Sequence, residues 1–300
     1  MAQTIKKHER ARQILQLLKM HGPLSFRALQ RLIEPYIKKR RLLDSLKRLQ
    51  KRGFVNRRFE RLFGGRGIFY NLEQYDSALV ELSEFMGVPV NDLKQPQFRY
   101  KELLHTECCA LWVDAFQRLF PEVEVIRDFD FQSNYKAEKI MLTSVEDLDL
   151  HPDLLLVFPK DGEHKEVALA VEIEKSNKTI KRLRQKLRKY ANGTHVDGVI
   201  YLCDSRYIAN SISKVYETKP LQTSKRVGHY SENFLLFGDA ESIHTKSFLE
   251  MFNSRLKTVF LPSWVTYLRD TRLNSRRDSK FDLAAPRCWH DRQNKEKVNL

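Results

Sequence analysis

Four carboxylates in this sequence are of the type, and in the order, that could hold a divalent cation against a phosphate: Glu107, Asp153, Glu172 and Glu174. Asp153 follows Pro152 and leads straight into the apolar run Leu154-Leu155-Leu156-Val157-Phe158, and Glu172 and Glu174 end the run Val167-Ala168-Leu169-Ala170-Val171. Two or three carboxylate oxygens at adjacent strand ends suit Mg²⁺ or Mn²⁺, ions that keep several waters and take phosphate oxygens. Such an ion stabilises charge on a phosphorane-like transition state and lowers the pKa of an attacking water. A strand's period of two puts Glu172 and Glu174 on one face with Ala168 and Ala170, small residues that leave room beside the acids. Asp153 and Glu172, in adjacent antiparallel strands, would meet around one ion, and Glu107 would approach from a preceding helix. The same pattern has plainer readings: Glu172 and Glu174 also suit a solvent-facing edge strand, and Asp153 after Pro152 suits a turn.

The elements that must position these acids follow from periodicity. An apolar stripe of Leu104, Cys108, Leu111, Ala115 and Leu119 predicts a helix over about 102–119, and Val123–Ile126 predicts a strand. A polar insertion runs through Asn134 to about Glu146. The strand 154–158 then turns at Lys160-Asp161-Gly162 and returns as 166–174. A helix over 176–191 turns Ile180, Leu183, Leu187 and Tyr190 inward. Its remaining face holds Lys178, Lys181, Arg182, Arg184, Lys186, Arg188 and Lys189, a solvated face that would equally suit phosphates. Gly198–Cys203 is near-continuously apolar, as a sheet covered on both sides requires. Beyond it, a strand at 234–237 and a helix over 241–257 are predicted, then a basic tail over 261–300.

Charge separates the chain into blocks. The sequence is 300 residues long with a formal net charge of +15, and residues 1–72 hold 19 Lys and Arg against four acids, which is the whole of it. Residues 73–174 are acidic and 175–300 basic. A segment so charged repels itself unless a polyanion is its partner, and nucleic acid is the default. Within it, Ala11, Ile14, Leu17 and Leu18 predict a helix over about 4–20, stopped by His21-Gly22-Pro23. Ser25 is placed to cap a short helix carrying Phe26, Leu29, Leu32 and Ile33. A third helix over 38–52 sets Leu42, Leu46 and Leu49 against Arg40, Arg41, Lys47, Arg48, Lys51 and Arg52. Gly53 ends it, and strands at 54–59 and 68–72 flank the tip Gly64-Gly65-Arg66-Gly67. Residues 73–97 read as a connector around a short helix at 75–86.

Composition excludes several classes. With 42% hydrophobic and 11% aromatic residues the chain is neither collagenous nor disordered throughout. No run approaches the roughly 18 apolar residues of a membrane span, and the charged N-terminus does not read as a signal peptide. Four cysteines without C-x-x-C spacing fit a reducing, cytoplasmic setting. His195, His229, His244 and His290 have no ligand spacing with any cysteine, which argues against zinc. There is no G-x-S-x-G, P-loop or G-x-G-x-x-G.

Three helices, the third ending Leu-x-x-Leu-x-x-x-Gly-Phe-Val, then a hairpin with Arg at a glycine-rich tip, resemble the winged helix-turn-helix of many bacterial DNA-binding proteins. The resemblance covers about a quarter of the chain. It implies that the third helix enters a major groove of double-stranded DNA through Arg40, Arg41, Lys47, Arg48 and Lys51. Arg57 and Arg58 would contact phosphates, and Arg66 phosphates or a minor groove.

The succession Glu107, Pro152-Asp153, Glu172-x-Glu174 resembles the PD-(D/E)xK nuclease superfamily over roughly 100–205. That resemblance implies an α+β multidomain chain: a winged helix at 1–72, a connector at 73–97, and a nuclease-like mixed sheet flanked by helices at 98–260. The implied activity is Mg²⁺- or Mn²⁺-dependent phosphodiester hydrolysis, with Asp153, Glu172 and Glu107 at the metal and Glu174 positioning water or a second ion. The motif lysine is absent, since Glu174 occupies its position. Some restriction enzymes of the superfamily carry Glu-x-Glu in this way. Lys175 points to the opposite face, so Lys186, one turn before Tyr190 on the following helix, is the residue that would supply the positive charge. The order also looks like the replication-relaxation proteins of plasmids and mobile elements and, more distantly, a heteromeric transposase endonuclease subunit. The functional expectation is a DNA endonuclease or nickase of such an element, working with a second copy or a partner protein. The alternative is a non-catalytic DNA-binding factor for replication, transfer or transcription, which the missing lysine favours.

Overall fold

The computed structural model describes residues 7–33, 38–62, 65–95, 100–128, 140, 151–162, 166–193, 196–216, 235–240, 250–253 and 258–270. The chain is α+β and divides into two compact units, Met1–Asp114 and Ala115–Leu300.

In the N-terminal unit, α1 (Lys7–His21), β1 (Leu24–Ser25), α2 (Phe26–Ile33) and α3 (Lys39–Lys51) precede the hairpin β2 (Val55–Leu62) and β3 (Gly65–Leu72). The three strands form an antiparallel sheet in the order β1-β3-β2. Ser25 caps α2: its Oγ accepts the Ala28 N–H at 3.1 Å, satisfying a donor that the first helical turn leaves orphaned. Gly53, at φ 71°, closes α3 in a left-handed turn open to glycine. Ile14, Leu15 and Leu18 of α1 meet Leu29 of α2, Leu42, Leu46 and Leu49 of α3, and Val55, Tyr70 and Leu72 of the hairpin in one core.

The segment read as a connector belongs to this core. In α4 (Asp76–Met86) Leu79 and Leu82 are buried, and Leu93 of the 3₁₀ turn Val90–Leu93 joins them, as does Ala110 of α5 (Tyr100–Leu119). The compact unit therefore extends well past residue 72, because three short helices and a hairpin leave one flank of their apolar surface to cover. On α5 the buried residue near the start is Leu103, while Leu104, read as part of the stripe, is exposed.

The C-terminal unit is built on a seven-stranded mixed sheet, ordered β10-β9-β8-β7-β6-β5-β4. Its strands are β4 (Glu124–Arg127), β5 (Leu154–Phe158), β6 (Val167–Glu174), β7 (Gly198–Cys203), β8 (Leu235–Asp239), β9 (Glu250–Asn253) and β10 (Thr258–Phe260). The β4–β5–β6 meander is antiparallel, β6–β7–β8 is parallel, and β8–β9–β10 is antiparallel again. Parallel neighbours need crossovers, and two helices supply them: α6 (Ile180–Gly193) between β6 and β7, and α7 (Arg206–Tyr216) between β7 and β8. Both pack on one face, where Leu183, Leu187, Tyr190, Ile212 and Val215 meet Ala168, Ala170, Val199, Tyr201 and Phe237. On β5, Phe158 meets Phe120 edge-on, ring centroids 5.1 Å apart. The helix α8 (Leu261–Asp270) buries Leu261, Trp264, Val265 and Leu268, so the first ten residues of the segment read as tail are packed.

Two further readings change. Residues 250–253, read within a helix over 241–257, form β9. A short apolar run fits either period, and pairing with β8 and β10 decides it. Ile180, read as inward-facing, is 62% exposed because it is the first residue of α6 and lies at the helix end rather than over the sheet. The polar insertion except Ile140, the rest of 241–257 and the basic residues 271–300 lie outside the described residues.

Leu82→Ala, deep in a segment that would tolerate it as a linker, is expected to cost about 2–5 kcal/mol in urea unfolding.

Candidate functional site

The acids of the C-terminal unit converge at one end of the sheet. β5 and β6 pair with Leu154 opposite Val171, so Asp153, one residue before β5, arrives beside the end of β6. There the Ile173 N–H donates to Asp153 Oδ2 at 2.6 Å. Glu172 and Glu174 point to the face covered by α6. They are 1% and 5% exposed on a strand flanked by β5 and β7, which overturns the edge-strand alternative.

A carboxylate so deep needs donors, and α6 supplies two, one turn apart. Lys186 Nζ donates to Glu172 Oε2 and the Tyr190 hydroxyl donates to Glu172 Oε1. Residues four apart lie on one helix flank, so a lysine and a tyrosine at this spacing reach the same carboxylate. Lys186 also lies 3.9 Å from Glu174 Oε1, while Lys178 lies 3.5 Å from Glu174 Oε2. The Lys186 side chain is 25% exposed, while the acids it meets are buried.

Burial is the largest influence on Glu172 and Asp153 adds to it. Together they outweigh Lys186 and Tyr190 and push its pKa up to about 7. Burial alone would lower Lys186, but Glu172, with Asp153 and Glu174, holds its pKa above the usual lysine value. Tyr190 and Tyr201 are raised well above the ordinary phenol value, first by burial and then by Glu172, so both phenols remain neutral.

Tyr201 is the residue that sequence reasoning passed over. It is fully buried, pairs with Glu172 across β6 and β7, and its hydroxyl has no hydrogen-bond partner among the described residues. Its position depends on the register of two parallel strands joined through α6, which no local pattern reveals. The same register sets Glu174, Cys203 and Asp239 in a row at the C-terminal ends of the three parallel strands, where ligands of open α/β sheets bind.

Glu107 belongs to the N-terminal unit, where its Oε2 accepts the Ser25 N–H at 2.8 Å and ties α5 to the entry of α2. The order of acids along the chain gave no sign of this, because the partner lies 82 residues earlier and is a backbone group.

Among the described residues no group of three or more His, Cys, Asp and Glu is arranged to hold a metal ion. The donor set still fits Mg²⁺ in kind. Asp153 and Glu172 are hard oxygen donors close enough for one to raise the other's pKa, and Mg²⁺ is commonly held by one or two carboxylates with waters and substrate phosphate completing its shell.

In the N-terminal unit, Arg40, Arg41, Lys47, Arg48 and Lys51 are all exposed on α3, away from the buried Leu42, Leu46 and Leu49. Arg48 Nε turns back to the Asp44 carbonyl at 3.0 Å. Arg57 and Arg58 are exposed on β2. Arg66 lies on β3 opposite Arg61, and its side chain lies outside the described residues. Among the described residues no helix is long and apolar enough to cross a membrane.

Two outcomes follow. Glu107→Ala is expected to cost about 1–3 kcal/mol in urea unfolding, the range for leaving a donor such as the Ser25 N–H without its acceptor. Between the ordinary glutamate value of 4.5 and about 7, the folded chain holds a proton on Glu172 that the unfolded chain has lost. This group's stabilising contribution is therefore full below pH 4.5 and lost as pH rises to about 7. With chelator present, the stability difference between wild type and Glu172→Gln should show that slope, and a difference flat with pH would contradict it. No protein-family model, no curated protein and no solved structure matches this chain.

Proposed function

We propose that the chain is a DNA-binding protein with a winged helix-turn-helix in its N-terminal unit and a PD-(D/E)xK-type core in its C-terminal unit, acting as a Mg²⁺- or Mn²⁺-dependent DNA endonuclease or nickase. Its setting would be the cytoplasm, on plasmid or mobile-element DNA, with a second copy or an element-encoded protein as further partner. The observation that carries the reading is the meeting of Asp153, Glu172 and Glu174, at one end of β5 and β6, with Lys186 of α6.

Asp153 and Glu172 would hold the ion, which when bound would neutralise phosphate charge and lower the pKa of the attacking water. The chain's own groups do the rest. The Ile173 N–H fixes one oxygen of Asp153, and Tyr190 fixes one oxygen of Glu172. Lys186, on a partly exposed side chain, would meet the scissile phosphate's charge, standing in for the lysine that Glu174 replaces. Glu174, held between Lys186 and Lys178, orients the water. Glu107 accepts the Ser25 N–H through one carboxylate oxygen, within the N-terminal unit. The +15 segment over 1–72, with Arg40, Lys47 and Lys51 exposed on α3, supports delivery of duplex DNA.

One observation favours the second reading, a non-catalytic DNA-binding factor on the same fold. Glu172 is 1% exposed and both of its oxygens are engaged by protein donors.

Nicking of supercoiled plasmid at low salt with Mg²⁺ or Mn²⁺ tests the proposal. Wild type should nick, and Asp153→Ala and Glu172→Gln should each lower the rate by about two orders of magnitude or more while still binding DNA. Tight, salt-sensitive binding without nicking in either metal would leave the second reading.

A further inference from the structure

The outer part of the β2–β3 hairpin carries an aromatic side chain that neither core nor catalysis uses. Phe59 is 61% exposed, and Arg57, two residues earlier on the same strand, lays its guanidinium 4.5 Å from the ring centroid. Opposed residues of an antiparallel pair share a face, and the register pairs Val55 with Leu72, Arg57 with Tyr70 and Phe59 with Ile68. Val55, Tyr70 and Leu72 are buried in the core with α1, α2 and α3. Further along that same face Ile68 is only partly buried against the core, and Phe59, opposite it, projects into solvent beside Arg57. The ring therefore lies on the sheet face that packs the helices, within the segment that carries the chain's entire net charge.

A phenyl ring capped by a guanidinium presents a flat, cationic stacking surface. In a polyanion-binding unit the flat partner that brings its own negative charge is a nucleobase on its phosphate backbone. In an intact duplex both faces of a base are covered by its neighbours. A base is reachable only where the strand is unpaired or where the ring itself parts a base step.

We propose that Phe59, with Arg57 stacked on it, is a platform for the face of a DNA base, so that the hairpin engages opened DNA in preference to closed duplex. The inference rests on the DNA-binding reading and is independent of the nuclease reading. Two sources supply the same base face: a nucleotide already unpaired, or a duplex step wedged apart by the ring.

Fluorescence anisotropy with the full chain tests this, comparing a closed duplex with the same duplex carrying a short central bubble, and with 2-aminopurine reporting unstacking in each. Wild type should bind the bubble about tenfold more tightly than the duplex. Phe59→Ala and Phe59→Leu should lose that preference while keeping duplex affinity, and Phe59→Trp should retain it. A rise in 2-aminopurine fluorescence on the closed duplex, absent in Phe59→Ala, identifies wedging; a response confined to the bubble identifies capture of an unpaired base. Equal binding of both DNAs by wild type, or a bubble preference that Phe59→Ala keeps, overturns the platform and leaves the DNA-binding reading standing. No binding to either DNA overturns both.

Discussion

Glu172 is buried under a helix, and the sheet around it is arranged so that it is not alone there. Removing an ion from water costs several kcal/mol, and well-placed partners offset part of it. Lys186 and Tyr190 are those partners, and they reach Glu172 only if α6 crosses β6 at a fixed height and rotation. Leu183 and Leu187 set the rotation by packing on Ala168 and Ala170, whose small side chains let the helix come close. The order β5-β6-β7 sets the height, because β6 must be internal for Glu172 to be covered at all. Position and chemistry are thus one constraint, and a shift of one residue in β6 would turn both acids to the opposite face.

The N-terminal unit solves a different problem. Its charges repel one another, so it needs more apolar contact than three short helices and a hairpin provide. The helix α4, the turn at Val90–Leu93 and the first turns of α5 provide it, and the Glu107–Ser25 hydrogen bond anchors that addition to the entry of α2. With the core so reinforced, α3 can leave its basic face wholly in solvent.

Local patterns made most of this legible. Period and punctuation located the N-terminal helices, the hairpin, β5, β6 and β7, because each has an apolar repeat with glycine, proline or serine at its ends. The meeting of Asp153 with β6 was legible because a short hairpin fixes register. Other features depend on pairings distant in sequence. Glu107 serves a backbone group 82 residues away, Tyr201 meets Glu172 through a crossover, and β9 is a strand only because β8 and β10 flank it. Ile180 had the right spacing for burial but stands at a helix end, where there is no sheet beneath it. The connector was misjudged for a related reason: Pro89, Asn91 and Asp92 interrupt its helix without removing Leu79, Leu82 and Leu93 from the core.

The acids at the end of β6 matter before the sheet exists. Val167–Val171 is a run of five apolar residues with strand-forming character, and its parallel neighbour β7 is synthesised only after α6. A nascent strand of this kind, with the edge that β7 will occupy still unpaired, is a template for association with other chains. Two like charges at its end work as gatekeepers during that interval, keeping the segment in water and opposing its stacking on copies of itself. Lys186 and Tyr190 arrive later in the chain, and only then can the carboxylates enter the core. The residues that make the folded interior hardest to assemble are therefore the ones that keep its most adhesive strand apart from other chains until assembly.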